Sequence, residues 1–297
     1  MLTLNNVTKT YADGTKALQN ITINFPSGMV GLLGPNGAGK SSLLRTIAGL
    51  QTTDSGSVVF TNETKVIDVQ QQPDCIRKTL GYLPQEFGVY PHMSCLALLE
   101  HMAVLKGLTV EQREQQIPHL LELTNLTSSA KKSVANYSGG MKQRFGIAQA
   151  LLGDPKLIVM DEPTAGLDPV ERQRLNDVLV TISKDRLVLL STHIVEEVEN
   201  LCRFVAMQFN GKIVVSGDIQ SLLEPLHNKV WRSSNPPNST SQSDLPDQAS
   251  AIVLNKTYSY GDPVFRIFSN KQPNKDASLS TPTLQDRYFL EQIKSSK

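Results

Sequence analysis

The stretch Met29-Val-Gly-Leu-Leu33-Gly34-Pro35-Asn36-Gly37-Ala38-Gly39-Lys40-Ser41-Ser42 decides the fold of this chain. Its first five residues are an apolar run that predicts a buried strand, and a helix is predicted over Ser41 to Gly49. The turn between them fits the pattern G-x-x-x-x-G-K-[ST], in which backbone N–H groups wrap phosphate oxygens at the positive end of a helix. In that pattern Lys40 contacts the β- and γ-phosphates of a nucleotide and Ser41 contacts Mg²⁺. An ordinary loop is the alternative, but a strand before the turn and a helix after it favour the phosphate-binding interpretation.

The elements on either side of this turn predict an α/β fold. Leu2, Leu4 and Val7 open a strand-like stretch. Ile21, Ile23 and Phe25 alternate with polar neighbours, and the two stretches indicate an antiparallel layer with one buried face. Later strands alternate with helices and therefore predict a parallel sheet covered on both faces. The predicted strands are Leu157 to Met160, Leu187 to Ser191 and Phe204 to Gln208, and the predicted helices are Pro169 to Ser183 and Ile194 to Leu201.

Two further regions extend this core. Helical patterns at Cys95 to Lys106 and Val110 to Leu123 predict a helical subdomain over about residues 90–155, inside a main domain of residues 1–225. Ser, Asn, Pro, Gln and Asp dominate residues 233–250, which is typical of a linker or long surface loop. The extension over 226–297 is predicted to be a small α+β unit, with strands at Ala251 to Leu254 and Val264 to Phe268 and a helix at Leu284 to Ile293.

Composition argues against several other classes of protein. The 297 residues carry 29 Lys plus Arg against 28 Asp plus Glu, and this balance does not indicate a nucleic-acid partner. The three scattered cysteines suggest neither a disulfide framework nor a zinc site. The longest apolar runs fall far short of the roughly 18 residues that a membrane span needs, and the first ten residues lack a signal-peptide layout. A membrane role would therefore require a partner chain.

Two more motifs carry chemistry. The buried strand Leu157-Ile-Val-Met ends in Asp161 and Glu162, which suits an Mg²⁺ ligand and a general base beside the attacking water in phosphoryl transfer. Acids at a strand end are often merely solvated, but the glycine turn upstream favours the chemical role. Ser138-Gly139-Gly140-Met-Lys-Gln-Arg144 precedes a helical stretch and predicts either a second anion site or an ordinary helix cap.

The order of the glycine turn, the Ser-Gly-Gly element, the Asp-Glu strand and then His193 resembles the nucleotide-binding domain of ABC ATPases over residues 1 to about 225. The resemblance implies a P-loop NTPase fold with a RecA-like parallel core, an antiparallel β subdomain, an α-helical subdomain and the C-terminal appendage. It also implies that ATP binds between two copies arranged head to tail, so that each copy supplies half of each site.

The resemblance assigns roles to individual residues of this chain. Glu162, His193 and Gln85 are the expected catalytic residues, and Ser41, Gln85 and Asp161 are the expected Mg²⁺ ligands. Contacts to ATP in the opposite copy are expected from Ser138, Gly139, Gly140 and Asp168. Contacts to ATP in the same copy are expected from Tyr11, which would stack on adenine, and from Gly34, Pro35, Asn36, Gly37, Ala38, Gly39, Lys40, Ser41 and Ser42.

The serine element departs from the family's commonest form, Leu-Ser-Gly-Gly-Gln, because Tyr137 precedes the serine and Met141 follows the second glycine. This form, with Leu-Pro-Gln85-Glu before it, resembles the ABC-2 group, as does Pro282-Thr-Leu-Gln-Asp286 near the end of the chain. Most members of that group export substrates and keep the permease on a separate chain.

The resemblance therefore implies an ATP-hydrolysing exporter subunit that uses ATP and Mg²⁺ and pairs with a separate transmembrane permease. It would form a homodimer or heterodimer of nucleotide-binding domains, bind no nucleic acid, and lie in the cytoplasm at the inner face of the membrane. Two alternatives remain. A soluble ABC ATPase of translation, chromosome maintenance or cofactor assembly is disfavoured by the single cassette and by the lack of sustained heptads. A non-catalytic module is disfavoured because Lys40, Asp161, Glu162 and His193 are all present.

Overall fold

The structure is a computed structural model, which describes residues 1–62, 65–88, 90–237 and 251–296. The chain divides into two compact units, Met1–Ile213 and Val214–Lys297. The division between the units falls at residue 213, inside a strand. The sequence predicted it later, at residue 225.

The strands formed by the described residues are β1 (Leu2–Thr10), β2 (Lys16–Phe25), β3 (Gly28–Leu33), β4 (Ser55–Thr61), β5 (Val66–Asp68), β6 (Leu80–Leu83), β7 (Leu157–Asp161), β8 (Leu187–Thr192), β9 (Phe204–Phe209), β10 (Lys212–Asp218), β11 (Val230–Ser233), β12 (Ile252–Ser259), β13 (Asp262–Phe268) and β14 (Ser278–Leu279). The helices are α1 (Lys40–Ile47), α2 (Pro73–Thr79), α3 (Cys95–Leu105), α4 (Val110–Leu123), α5 (Gly139–Leu151), α6 (Pro169–Ile182), α7 (Val195–Leu201), α8 (Ile219–Leu223) and α9 (Leu284–Ser295).

Among the described residues, the sheet that contains β3 has six strands in the order β10-β9-β3-β8-β7-β6, and the pairs from β9 to β6 are parallel. Every residue of β7 and β8 is buried, as expected for strands covered on both faces. The carboxyl ends of parallel strands share one edge of a sheet. The glycine turn after β3, Glu162 after β7 and His193 after β8 therefore meet at this edge.

A second sheet packs onto the same core. Its order is β2-β1-β4-β5, with antiparallel pairing throughout, and Leu2 lies between Phe25 on one side and Phe60 on the other. These three side chains are buried in one cluster with Leu43 and Leu44 of α1. The packing fixes the antiparallel layer beside the glycine turn. The layer predicted from the alternation of apolar residues is confirmed.

Helices α3, α4 and α5 form the helical part of this unit. Each helix is preceded by a hydroxyl residue, Ser94, Thr109 or Ser138. The side-chain oxygen of this residue accepts a hydrogen bond from a backbone N–H of the first turn. Contacts of α5 with β6 join these helices to the core sheet. Among the described residues, no helix has the length and apolar character needed to cross a bilayer.

In the described residues of the second unit, four strands form an antiparallel sheet in the order β12-β13-β11-β14, and α9 is the longest helix. Its core contains Leu226, Val230, Leu254 and Leu290. The predicted α+β appendage is therefore confirmed, although its first strand continues to Ser259. Of the predicted linker, Ser233 ends β11 and residues 238–250 lie outside the described residues.

Candidate nucleotide-binding site

Two glycines of the turn between β3 and α1 sit where a side chain would collide with backbone. A Cβ at Gly34 would lie 2.3 Å from the carbonyl oxygen of Gln208, and one at Gly39 would lie 2.2 Å from that of Ala17. Gly39 also has φ 98°, in the left-handed region that favours glycine, and it directly precedes α1. The backbone can thus form a tight cradle with N–H groups available to an anion, which fits a polyphosphate.

Lys40, the first residue of α1, is held inside this cradle. Only 6% of its surface is exposed. Its Nζ donates to the carbonyl oxygens of Gly34 at 2.7 Å and Pro35 at 3.1 Å. Burial lowers the pKa of Lys40, while the negative charges of Glu162 and Asp161 oppose that shift. The ammonium group is therefore held by the cradle and interacts electrostatically with Asp161, which ends β7, and with Glu162, which follows it.

Glu162 and His193 are joined by their side chains. Glu162 has φ 51°, and its backbone N–H donates to the carbonyl oxygen of Ser191 at 2.9 Å. A bulky residue with positive φ is uncommon and often belongs to a functional site. The conformation turns the Glu162 carboxylate toward His193, whose Nδ1 lies 2.9 Å from Glu162 Oε1. Asp161, the last residue of β7, is almost fully buried beside them.

A cleft of about 710 Å³ brings most of the predicted residues together. Tyr11 stands at its wall, where its hydroxyl lies 2.9 Å from Ser42 Oγ and donates to Gln51 Oε1 at 3.1 Å. The predicted residues that line the cleft are Tyr11, Asn36, Gly37, Gly39, Lys40, Ser41, Ser42, Gln85, Asp161 and Glu162. Gly34, Pro35 and Ala38 belong to the same turn but do not line the cleft.

The cleft also contains residues that the sequence analysis missed, namely Thr15, Lys16, Ala17, Gln19, Asn210 and Gly211. Gln19 Nε2 donates to the carbonyl oxygen of Asn210 at 2.7 Å, which joins β2 to the turn after β9. The two residues are 191 positions apart, and no local pattern signals such a contact. The only hint in the sequence is the Asn210-Gly211 pair, which is typical of a tight turn.

Comparison with known proteins decides the family. The model of the ABC transporter family matches residues 18–165. The uncharacterized ABC transporter ATP-binding protein YxlF of Bacillus subtilis is 35% identical over 232 residues, which are 78% of this chain and 75% of that protein. The chain belongs to the ABC transporter family.

Other members of the family agree in sequence and in fold. Nod factor export ATP-binding protein I of Cupriavidus metallidurans is 35% identical, covering 75% of this chain and 73% of that protein. Lantibiotic transport ATP-binding protein SrtF of Streptococcus pyogenes is 33% identical, covering 77% and 97%. The bacterial ABC transporter cassette MJ0796, solved as a dimer, has a TM-score of 0.67 at 27% identity, covering 73% of this chain and 98% of that one.

MJ0796 has also been solved in a post-hydrolysis state bound to ADP and Pi, with the same TM-score and identity. ATP-binding proteins of this family generally dimerise and work with membrane permeases. As an ATP-binding subunit of an ABC transporter, this chain binds and hydrolyses ATP.

The remaining predicted residues of this ABC subunit lie outside the cleft. Ser138 caps α5 by accepting the N–H of Met141 at 3.3 Å, with Gly139 and Gly140 in the first turn. Asp168 caps α6 by accepting the N–H of Glu171 at 2.8 Å. In a single chain Ser138 and Asp168 are therefore helix caps and the two glycines form a helix start, all outside the cleft that contains Lys40.

Proposed function

We propose that the chain is the ATP-hydrolysing subunit of an ABC-2 type exporter, acting as a dimer of nucleotide-binding domains beneath a separate membrane permease. It would lie in the cytoplasm, at the inner face of the membrane. The names of two relatives, a Nod factor export protein and a lantibiotic transport protein, support transport of this kind. The Tyr-Ser-Gly-Gly-Met form resembles the ABC-2 group, and this resemblance supports a permease on another chain.

One observation carries the dimeric part of this proposal. The cleft holds the cradle, Tyr11 and the acids, while Ser138, Gly139, Gly140 and Asp168 lie outside it at helix starts. Ser138 and the two glycines begin α5, where backbone N–H groups suit a phosphate. A second copy arranged head to tail would bring these groups to the ATP held by the first. The dimeric structure of MJ0796 supports the formation of a dimer.

In the proposed mechanism the cradle and Lys40 bind the phosphates of ATP, and Tyr11 stacks on the adenine. Glu162 accepts a proton from the attacking water, and His193 contacts the γ-phosphate. Because each ATP gains contacts from both copies only when they close, ATP stabilises the closed dimer. Loss of the γ-phosphate after hydrolysis removes those contacts, and the dimer reopens.

The residues at the cleft also fit Mg²⁺. Ser41, Gln85 and Asp161 provide oxygen donors with a single carboxylate, a set that suits a small hard cation whose other ligands are phosphate and water. These three residues would hold the ion, with Gln85 also near the attacking water. When bound, Mg²⁺ neutralises charge on the phosphates.

The variant Glu162→Gln tests the proposed chemistry. It removes the base but keeps the volume, so we expect ATP affinity to stay unchanged and turnover to fall about 10²- to 10⁴-fold. Size-exclusion chromatography with ATP should then show a stable dimer. Glu196→Gln, at an exposed position of α7, is the matched control and should hydrolyse ATP normally. Hydrolysis by Glu162→Gln at the wild-type rate would exclude Glu162 as the base.

A further inference from the structure

Glu197 is a buried acid that the proposed mechanism does not use. It lies in α7, four residues after His193, and only 4% of its surface is exposed. A buried carboxylate is costly unless it is paired or hydrogen-bonded. Its two oxygens face different elements of the first unit, and both of its partners are connected to the nucleotide-binding site.

One oxygen of Glu197 fixes the segment that carries His193. Thr192 Oγ1 donates to Glu197 Oε2 at 3.0 Å in a buried hydrogen bond. The same Thr192 hydroxyl accepts the backbone N–H of Ile194 at 3.0 Å. The residues on both sides of His193 are therefore tied to one hydroxyl, and that hydroxyl is oriented by Glu197. This constraint sets the backbone from which the His193 ring reaches Glu162 Oε1 at 2.9 Å.

The other oxygen of Glu197 faces α6. Arg172 Nε lies 3.7 Å from Glu197 Oε1, which is an ion pair that is too long for a hydrogen bond. Arg172 is in the first turn of α6, where its backbone N–H donates to the carbonyl oxygen of Asp168 at 2.9 Å. A displacement of the start of α6 would therefore move the Arg172 guanidinium relative to Glu197.

We propose that Glu197 is a positioning residue for ATP hydrolysis. It holds His193 against Glu162 through Thr192, and through Arg172 it makes that arrangement sensitive to the position of α6. The inference rests on the proposed function, in which Asp168 at the start of α6 contacts the second copy. Dimer closure would then change the position of His193 relative to Glu162 through two side-chain contacts, Arg172–Glu197 and Glu197–Thr192.

Two substitutions in the full-length protein change the hydrogen bond, one from each end. Glu197→Gln weakens it at constant volume, because a neutral amide oxygen replaces the charged acceptor, and Thr192→Val removes the donating hydroxyl. We expect kcat to fall about 10- to 100-fold in both, because a small misplacement of a catalytic group is costly, with little change in ATP affinity. Thr192→Ser keeps the hydroxyl and should restore turnover. Glu196→Gln, next to Glu197 but exposed, is the matched control.

The His193 ring provides a readout that a merely structural role would not change. In protein labelled with ¹⁵N-histidine, the ring signals of His193 are identified by their loss in His193→Ala. We expect those signals to shift in Glu197→Gln and Thr192→Val and to stay in place in Thr192→Ser and Glu196→Gln. A lowered melting temperature with wild-type kcat and unshifted His193 signals would show that Glu197 only stabilises the fold. If Glu197→Gln does not fold, the Thr192→Val and Thr192→Ser pair decides.

A double-mutant cycle tests the connection to α6. If Arg172 acts through Glu197, the effects of Arg172→Met and Glu197→Gln on kcat should not add. Additive effects would contradict this part of the inference. The variant His193→Ala separates the proposed role of His193 in hydrolysis from the positioning role of Glu197. Wild-type turnover in His193→Ala would contradict the proposed role of His193 itself. Loss of turnover in His193→Ala, with normal kcat in Glu197→Gln and Thr192→Val, would contradict only the positioning role.

Discussion

Gly37 and Gly39 belong to the same turn and have similar backbone conformations, yet they are constrained in different ways. Gly37 has φ 79° and Gly39 has φ 98°, so any other residue at either position is strained. A Cβ at Gly37 would have no neighbour within 4 Å, whereas one at Gly39 would lie 2.2 Å from the Ala17 carbonyl oxygen and 2.8 Å from Gln208 Nε2. The two positions therefore separate backbone strain from steric collision.

We predict that Gly39→Ala lowers the free energy of unfolding more than Gly37→Ala does. The Gly37 variant should lose about 1–2 kcal/mol, the cost of a left-handed conformation with a side chain. The Gly39 variant carries the same cost and must also displace the backbone of β2. Urea denaturation without nucleotide measures both. Equal losses would contradict the prediction and would mean that the backbone at Ala17 moves away from the new methyl group at little cost.

At the level of single elements, sequence patterns correctly predicted the strands that consist of long buried apolar runs. Leu157 to Met160 and Leu187 to Ser191 lie within β7 and β8, where every residue is buried. The four-residue strand β6, which ends just before Pro84, was not predicted because it is too short to show a period. The position of Gln85 at the cleft depends on that strand, so its role came only from the family resemblance.

Lys106 fixes the joint between the helical part and the core sheet. Its Nζ donates to the carbonyl oxygen of Leu152, at the end of α5, at 2.7 Å, and to that of Leu80, at the start of β6, at 3.4 Å. Burial lowers the pKa of Lys106 to about 8 from 10.5, even though two carbonyl oxygens accept hydrogen bonds from the ammonium group. The joint therefore contains a cation that is easily deprotonated.

The lowered pKa predicts a pH dependence of stability. Between pH 8 and 10.5 the unfolded chain keeps the Lys106 proton more tightly than the folded chain does. The free energy of unfolding of the wild type, relative to Lys106→Met, should therefore rise with pH in this window and be constant below it. Urea denaturation across this range measures the difference. A difference for Lys106→Met that stays flat across this range would contradict the lowered pKa.

At the scale of the whole molecule, the residues outside the cleft form one surface of their own. A Cβ at Gly140 would lie 3.4 Å from Leu167 Cδ2, and Arg144 Nε of α5 pairs with Glu171 Oε2 of α6 at 3.2 Å. These contacts hold the capped starts of α5 and α6 side by side, so Ser138 and Asp168 share a surface. The sequence predicted an anion site or a helix cap at Ser138 and a helix from Pro169, but the contact between the two helix starts joins distant segments and could be read only from the structure.

The division of the site between two copies can be tested by mixing two defective variants. Lys40→Ala removes the charge from the cradle, and Ser138→Arg blocks the helix start that would contact the other copy. Each variant alone should hydrolyse ATP very slowly. In a mixed dimer, one site combines the intact cradle of one variant with the intact Ser138 of the other. An equal mixture should therefore recover about a quarter of the wild-type rate, because half of the dimers are mixed and each has one complete site. Mixing Lys40→Ala with Lys40→Ala,Ser138→Arg leaves every site defective and is the matched control. If the first mixture is no more active than this control, ATP sites are not shared between two copies of this chain.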